Sequence, residues 1–225
     1  MKFLKELKHR LAVWRYRMFP GTFTFQGRNY RYFHHPYNNT WTNERAVELA
    51  LAKHELQKYR DKRVLELGNV LNHYLKQPHD VVDKYEPGEG VVNVDIIDFN
   101  PGKPYDLILS ISTLEHVGWD SIAMTDGVAP DEESKEPTKI PETLERLSVM
   151  LAPGGRLVVT VPFGYNDFLN DFLANDTLPF TETRYLRRMA EPNKWREVPK
   201  EEVVGTPYGY DRGSAEAIAV GIIQK

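Results

Sequence analysis

Apolar positions recur along this chain with two periods and in short unbroken runs, and these patterns assign most of its elements. Leu4, Leu7, Leu11, Trp14 and Met18 follow one another at spacings of 3, 4, 3 and 4, one stripe of a helix, which Pro20-Gly21 ends. Phe23/Phe25 and Tyr30/Tyr32 alternate on either side of Gly27, the pattern of a small hairpin. With Thr42 read as an N-cap, a helix over 43–60 turns Leu49, Ala52, Leu56 and Tyr59 inward and Glu48, Lys53, Glu55 and Lys58 outward. Short apolar runs then come at 63–67, 79–83, 90–95, 106–112, 156–161 and 217–223, each read as a strand. Ile140, Leu144, Leu147 and Leu151 give a further helix, opened by Pro141 and closed by Pro153-Gly-Gly155. A helix-compatible segment follows Gly68 and stops at Pro78, whereas Pro87-Gly-Glu-Gly90 leaves a loop where a second crossover helix would stand. Residues 119–139 read as a loop or lid carrying Asp131-Glu-Glu133, and 167–215 as a helix or two with one edge strand. Strands alternating with helices predict a parallel sheet covered on both faces.

The chemistry-bearing residues gather at the predicted strand ends. Gly68 closes the first strand and opens a turn in which a ligand can approach the backbone. Glu66 stands just before it, and Asn69, Asn72 and His73 follow. The next two strands each close on an acid. Asp83 comes 17 residues after Glu66, near the spacing at which a βαβ nucleotide site places a carboxylate on ribose hydroxyls, and Asp95 closes the third. Ordinary turn chemistry is the simpler reading of either acid taken singly. Ser112, Thr113 and Leu114 follow the fourth strand and lead into Glu115-His116, and Tyr165 follows the fifth. His34 and His35 are adjacent and do not share a helix face, which argues against a metal pair. Their aromatic segment is read as a surface loop or as a cover for substrate.

Composition narrows the picture. The 225 residues carry a formal net charge of −3, so no overall basic field marks a nucleic-acid partner. With no cysteine there is no disulfide, thiolate metal site or Cys nucleophile, which fits a reducing, cytoplasmic setting. No apolar run reaches the roughly 20 residues of a membrane span. The first 18 residues nevertheless hold six Lys or Arg and one Glu. Their helix is read as packing on its own domain or on a second copy, or as lying on the inner face of an anionic membrane. Arg184, Arg187 and Arg188 are read as a solvated face, with an anion contact as the alternative.

Taken in order, the glycine turn, the two acid-ended strands, Asp106-Leu-Ile-Leu109 with Leu114-Glu-His-Val117, and Leu151-Ala-Pro-Gly-Gly-Arg-Leu-Val-Val-Thr-Val-Pro162 resemble a class I S-adenosylmethionine (SAM)-dependent methyltransferase over residues 42–225. Tyr37-Asn-Asn-Thr-Trp-Thr-Asn-Glu-Arg45 also resembles methyltransferases of surface-polysaccharide gene clusters. The resemblance implies a doubly wound α/β fold, with a mostly parallel Rossmann-like sheet and one antiparallel strand near the C-terminus, behind an arm of residues 1–41. It implies SAM as cofactor and S-adenosylhomocysteine as product. Glu66 and Gly68 are then placed at the methionine end, Asp83 at the ribose, Asp95 beside the adenine, and residues 110–115 along the cofactor. The family's loop commonly runs Glu-x-Gly-x-Gly-x-Gly. Here only the first glycine stands, with Val70 and Asn72 at the other two positions. Val70 does not adopt a left-handed backbone cheaply, so the loop is expected to take another path.

The implied reaction moves a methyl group to an oxygen or nitrogen of a small-molecule or glycan acceptor. A hydroxyl acceptor needs a base, and His116 is the first candidate, with Tyr165, His35 and His34 behind it. A magnesium ion on Glu115, Asp120 or the acidic loop is compatible with hard oxygen ligands, though no spacing requires it. A nicotinamide oxidoreductase would need the Gly-x-Gly-x-x-Gly fingerprint, which is missing. A non-catalytic nucleotide-binding module that assembles with a second copy or a membrane is the main rival.

Overall fold

The computed structural model describes residues 11, 13–16, 18–76, 78–119, 135–190 and 193–225. Eight strands form one sheet in the order β5-β4-β3-β6-β7-β10-β8-β9. Its parallel part comprises β3 (Val64–Leu67), β4 (Asp80–Val82), β5 (Val91–Val92), β6 (Tyr105–Ile111) and β7 (Leu151–Pro162). The last strand, β10 (Ala217–Gln224), inserts antiparallel between β7 and β8 (Glu182–Ala190). This is the mostly parallel Rossmann-like sheet with a reversed strand near the C-terminus. A hairpin partner, β9 (Lys194–Val198), also runs against the majority and extends the edge beyond β8.

Strand alternation sends side chains to two cores. Leu107, Leu109 and Ile111 of β6 meet α1 (Arg45–Lys58), whereas Tyr105 and Ile108 face α2 (Lys139–Met150) and α3 (Asp167–Ala174). The expected hairpin forms from β1 (Thr22–Phe25) and β2 (Arg28–Arg31), and Phe23 and Phe25 enter the α1 core.

Among the described residues the helix expected between Gly68 and Pro78 is absent. A single helical turn, Leu71–His73, replaces it, and β4 reaches β5 through a loop. Two side chains account for this. The fully buried Glu66 carboxylate fixes the amides of Val70 and Leu71, and His79 turns inward onto the same carboxylate. Glu48 and Glu55, expected outside, are buried instead. Thr42 is no N-cap, since its hydroxyl donates to the Asn39 carbonyl.

The N-terminal third is tied to the far end of the chain. Gln26 N donates to Glu197, Trp195 N to the Tyr32 hydroxyl, and Ala215 N to Glu44. Arg188 and Asn193 donate to the carbonyls of Thr42 and Asn43. The three clustered arginines are thereby resolved. Arg184 pairs with Glu182 and Glu197, Arg187 holds the Glu202 carbonyl, and Arg188 is buried over Trp195, so no shared anion site forms. Leu11, Trp14, Met18 and Phe19 are exposed, which leaves the described part of the N-terminal stripe uncovered by its own domain.

Candidate functional site

A cleft of about 410 Å³ opens at the carboxyl ends of β3, β4 and β6, where parallel α/β sheets place ligands. Gly68, Asn69, Asp83, Asp95, Ser112, Thr113 and His116 contribute to its lining. Gly68 has φ +90°, and a Cβ there would lie 2.1 Å from Thr113 Oγ1, so the turn and the strand end meet only because the side chain is missing. Val70 is right-handed, with φ −82° and ψ −47°. The loop needs just one glycine because it closes into a single turn.

Glu66 holds this loop from beneath and does not line the cleft. Its carboxylate accepts from Val70 N (3.0 Å) and Leu71 N (2.8 Å) and lies 2.8 Å from His79 Nε2. Burial raises its pKa against these hydrogen bonds. Asn72 and His73 also stand outside the lining. Asn72 donates to Asn69 Oδ1, and His73 lies 2.8 Å from Glu86 Oε1 and stacks on Tyr37. Leu114 is a core residue.

Asp83 serves the backbone. Asn69 N donates to Oδ2, and the amides of Tyr85 and Glu86 to Oδ1. Glu86 takes a place in the cleft wall, with Asn69 Nδ2 on its Oε1 at 2.9 Å. Asp95 is bound by Lys84 Nζ (2.9 Å) and Ile97 N (3.2 Å). Burial pushes its pKa up, but these donors and the Lys84 charge outweigh burial and hold it below the ordinary value. Val94 and Ile97, both partly exposed, flank it as apolar walls.

Beneath His116 lies a polar floor that sequence reasoning missed. The start of α1 brings Glu44, Arg45 and Glu48 under the end of β6. Arg45 pairs with Glu48 at 2.6 Å, and Ser112 Oγ donates to the other Glu48 oxygen at 2.7 Å. Ser112 reaches it from a left-handed backbone, φ +40°, a strained conformation of the kind that clusters at functional sites. Glu115 is 2% exposed, and its Oε2 has no hydrogen-bond partner. Its Oε1 lies 3.9 Å from His116 Nε2. The signal was present in Ala46-Val-Glu-Leu-Ala-Leu-Ala52, where one charge interrupts an apolar run. From His116 a row of edge-to-face rings runs outward through Tyr165, Tyr208 and the exposed Tyr210, at 5.1, 5.4 and 5.0 Å. His35 sits apart, against Phe33 and Tyr74. Among the described residues no group of three or more His, Asp or Glu is arranged to hold a metal ion. Asp120 and Asp131-Glu-Glu133 lie outside them.

Burial pushes the Glu115 carboxyl up to about 8, with His116 opposing. The folded chain therefore holds this proton more tightly than the unfolded one. That contribution to stability is fully present below the ordinary carboxylate range and is lost as pH rises through about 8. Glu115→Gln is expected to flatten this slope and to raise stability on the alkaline side. Chemical denaturation of both proteins across this range checks it, and an unchanged slope would show that Glu115 is not the group responsible.

No protein-family model and no curated sequence matches the chain. Distant likeness exists among solved structures. The N-methyltransferase NodS from Bradyrhizobium japonicum is 14% identical, with a TM-score of 0.48 over 81% of this chain and 96% of its own. The 1,6-didemethyltoxoflavin-N1-methyltransferase of Burkholderia thailandensis, solved with S-adenosylhomocysteine, is 16% identical, with a TM-score of 0.44 over 97% and 89%. A sugar N-methyltransferase from a Streptoalloteichus species is 13% identical, with a TM-score of 0.36 over 80% and 88%. Likeness this remote does not bear on activity, which rests on the site itself.

Proposed function

We propose that the chain is a SAM-dependent methyltransferase acting on an oxygen or nitrogen of a small-molecule or glycan acceptor. The observation that carries this reading is the cleft where Gly68 is pressed against Thr113, Asp95 stands between the apolar Val94 and Ile97, and His116 faces the same space. The residues suit the cofactor part by part. Asp95 with its apolar flanks fits an adenine edge. Glu86 is the carboxylate placed for ribose hydroxyls, since Asp83 is taken up by three amides. Arg45, in the lining, fits the methionine carboxylate.

Bound SAM supplies a methyl group already activated on a sulfonium, so the protein's main task is alignment. His116 takes the proton of a hydroxyl acceptor, and the imidazolium so formed is the charge that draws the buried Glu115 carboxyl, 3.9 Å away, back toward ionisation. Tyr165 and Tyr208 offer ring faces and edges to a cyclic acceptor. The stretch Tyr37–Arg45, through its resemblance to surface-polysaccharide enzymes, supports a sugar-bearing one.

Thermal shift tests the cofactor. At 100 times its dissociation constant a ligand adds about 2.7 kcal/mol, so SAM and S-adenosylhomocysteine are expected to raise Tm where NAD does not. No shift with either adenosyl compound would sink the reading. His116→Ala is expected to keep that shift and to lose roughly 10²–10⁴-fold in turnover of a hydroxyl acceptor. Undiminished turnover would remove His116 from the mechanism. Cofactor binding without transfer to any acceptor would favour the binding module.

A further inference from the structure

A second cavity, of about 440 Å³, lies away from the cleft, between β2, α1 and the foot of the N-terminal helix. Arg28 and Arg31 of β2 and Lys53 of α1 line it, together with His34 and His54, and no Asp or Glu does. Several cations elsewhere pair with a carboxylate, Arg45, Arg63, Arg184, Arg196 and Lys200 among them, whereas Arg146 and Arg187 are held by carbonyls. Among the described residues Arg28, Arg31 and Lys53 form no such pair. Arg28 instead donates to His54 Nε2 at 3.0 Å, and Lys53 Nζ lies 5.8 Å from the Phe33 ring centre. The nearby acid of α1, Glu55, is held by Lys58 and Arg156. Three unneutralised cations around one concave space form an anion site, and their donors suit the oxygens of a phosphate.

The groove opens at the foot of the N-terminal helix, where Pro20 lines it next to the exposed Phe19. Tyr16, at its rim, stacks on Trp41 (5.6 Å, 12° between planes) and packs against His34 at 4.9 Å. That contact fastens one side of the N-terminal helix. Leu11, Trp14, Met18 and Phe19 are left 56%, 60%, 58% and 71% exposed. Apolar side chains turned to solvent beside basic ones, in a stretch with six Lys or Arg to one Glu within a chain of net charge −3, match the interface of an anionic bilayer in both charge and polarity.

We propose that this groove holds the phosphate of an anionic membrane lipid while Leu11, Trp14, Met18 and Phe19 enter the bilayer beside it. The occupant is a lipid headgroup rather than a free phosphate because the charge and the exposed apolar surface adjoin, and only a ligand with both parts uses both. The inference is independent of the methyltransferase reading, since its test involves neither cofactor nor turnover.

The full chain is sedimented with phosphatidylcholine vesicles, alone or with about 30 mol % phosphatidylglycerol, where each juxtamembrane cation adds to the attraction. Binding is expected only to the anionic vesicles, and to fall at least about tenfold between low and high salt as the attraction is screened. Two variants follow, Arg31→Glu with Lys53→Glu in the groove, and Leu11→Glu with Trp14→Glu on the helix. Both should fold, because Arg31, Leu11 and Trp14 are exposed and Lys53 makes no ion pair, and an unchanged melting temperature verifies it. Each is expected to abolish vesicle binding. Binding that survives the groove substitutions overturns the phosphate site, and binding to neither vesicle overturns the proposal outright. Stabilisation by glycerol phosphate or inorganic phosphate without vesicle binding overturns the lipid source.

Discussion

Gly68→Ala is expected to destabilise the protein by about 2–5 kcal/mol, from two separable causes. A left-handed alanine costs about 1–2 kcal/mol, and overpacking of this kind adds about 1–3 kcal/mol. The new methyl would lie 2.1 Å from Thr113 Oγ1 and 2.9 Å from Thr113 Cγ2. Thr113 is not free to swing aside, because its hydroxyl donates to the Ile111 carbonyl at 3.1 Å. Against a total stability of about 5–15 kcal/mol this is a large loss, and SAM binding should disappear with it, since the displaced loop carries Asn69. Adding Thr113→Ala removes both of the closest atoms. The double variant should regain the steric part and leave the backbone part, as urea denaturation of the four proteins in a cycle would show. Gly68→Ala with wild-type stability would mean that the turn is not held against β6.

Arg45→Met is the second large effect. Arg45 is the cation among three buried carboxylates, those of Glu44, Glu48 and Glu115. Removing one partner of a buried pair costs about 3–5 kcal/mol because the other charge is left without compensation. Glu48, fully buried, keeps only the Ser112 hydroxyl. The penalty should depend on pH. Burial raises the pKa of Glu44 and Glu115 and the Arg45 charge opposes it; without that charge protonation of these two relieves the strain, so the loss is greatest in alkaline solution and shrinks as pH falls. Glu48→Gln added to Arg45→Met should recover much of the stability. Denaturation midpoints at two pH values check both statements, and a loss independent of pH would contradict the charge argument.

The strands and their order of appearance were legible because buried strands are short, apolar and closed by Gly or an acid. The run 106–112 differs from the observed β6 by one residue at either end. The helix after Gly68 was misread because periodicity does not register two buried polar side chains: Glu66 and His79 hold that segment in a single turn. Glu48 was assigned to solvent because a charged residue usually belongs there. Its partners, Arg45 and Ser112, stand 3 and 64 residues away, and a linear pattern does not bring the second of them near. The same holds for the basic groove, whose cations come from a strand and a helix with a loop between them. Asp83 and Asp95 were readable as strand-end acids, but the role of Asp83 in holding three amides depends on the turn that follows it.

The ties between the first and last parts of the chain set an order of assembly. The bonds joining residues 26–44 to residues 188–215 span 146 to 171 positions. Closing loops of that length costs entropy before any contact repays it, which makes such contacts slow to form. During synthesis β3, β4 and β6 can pair early, but the start of α1 is not fastened until β8, β9 and the segment before β10 have emerged. The cradle around Gly68 is thus built from neighbouring sequence. The charged floor beneath His116 is completed last, and an unfinished chain would carry the first without the second.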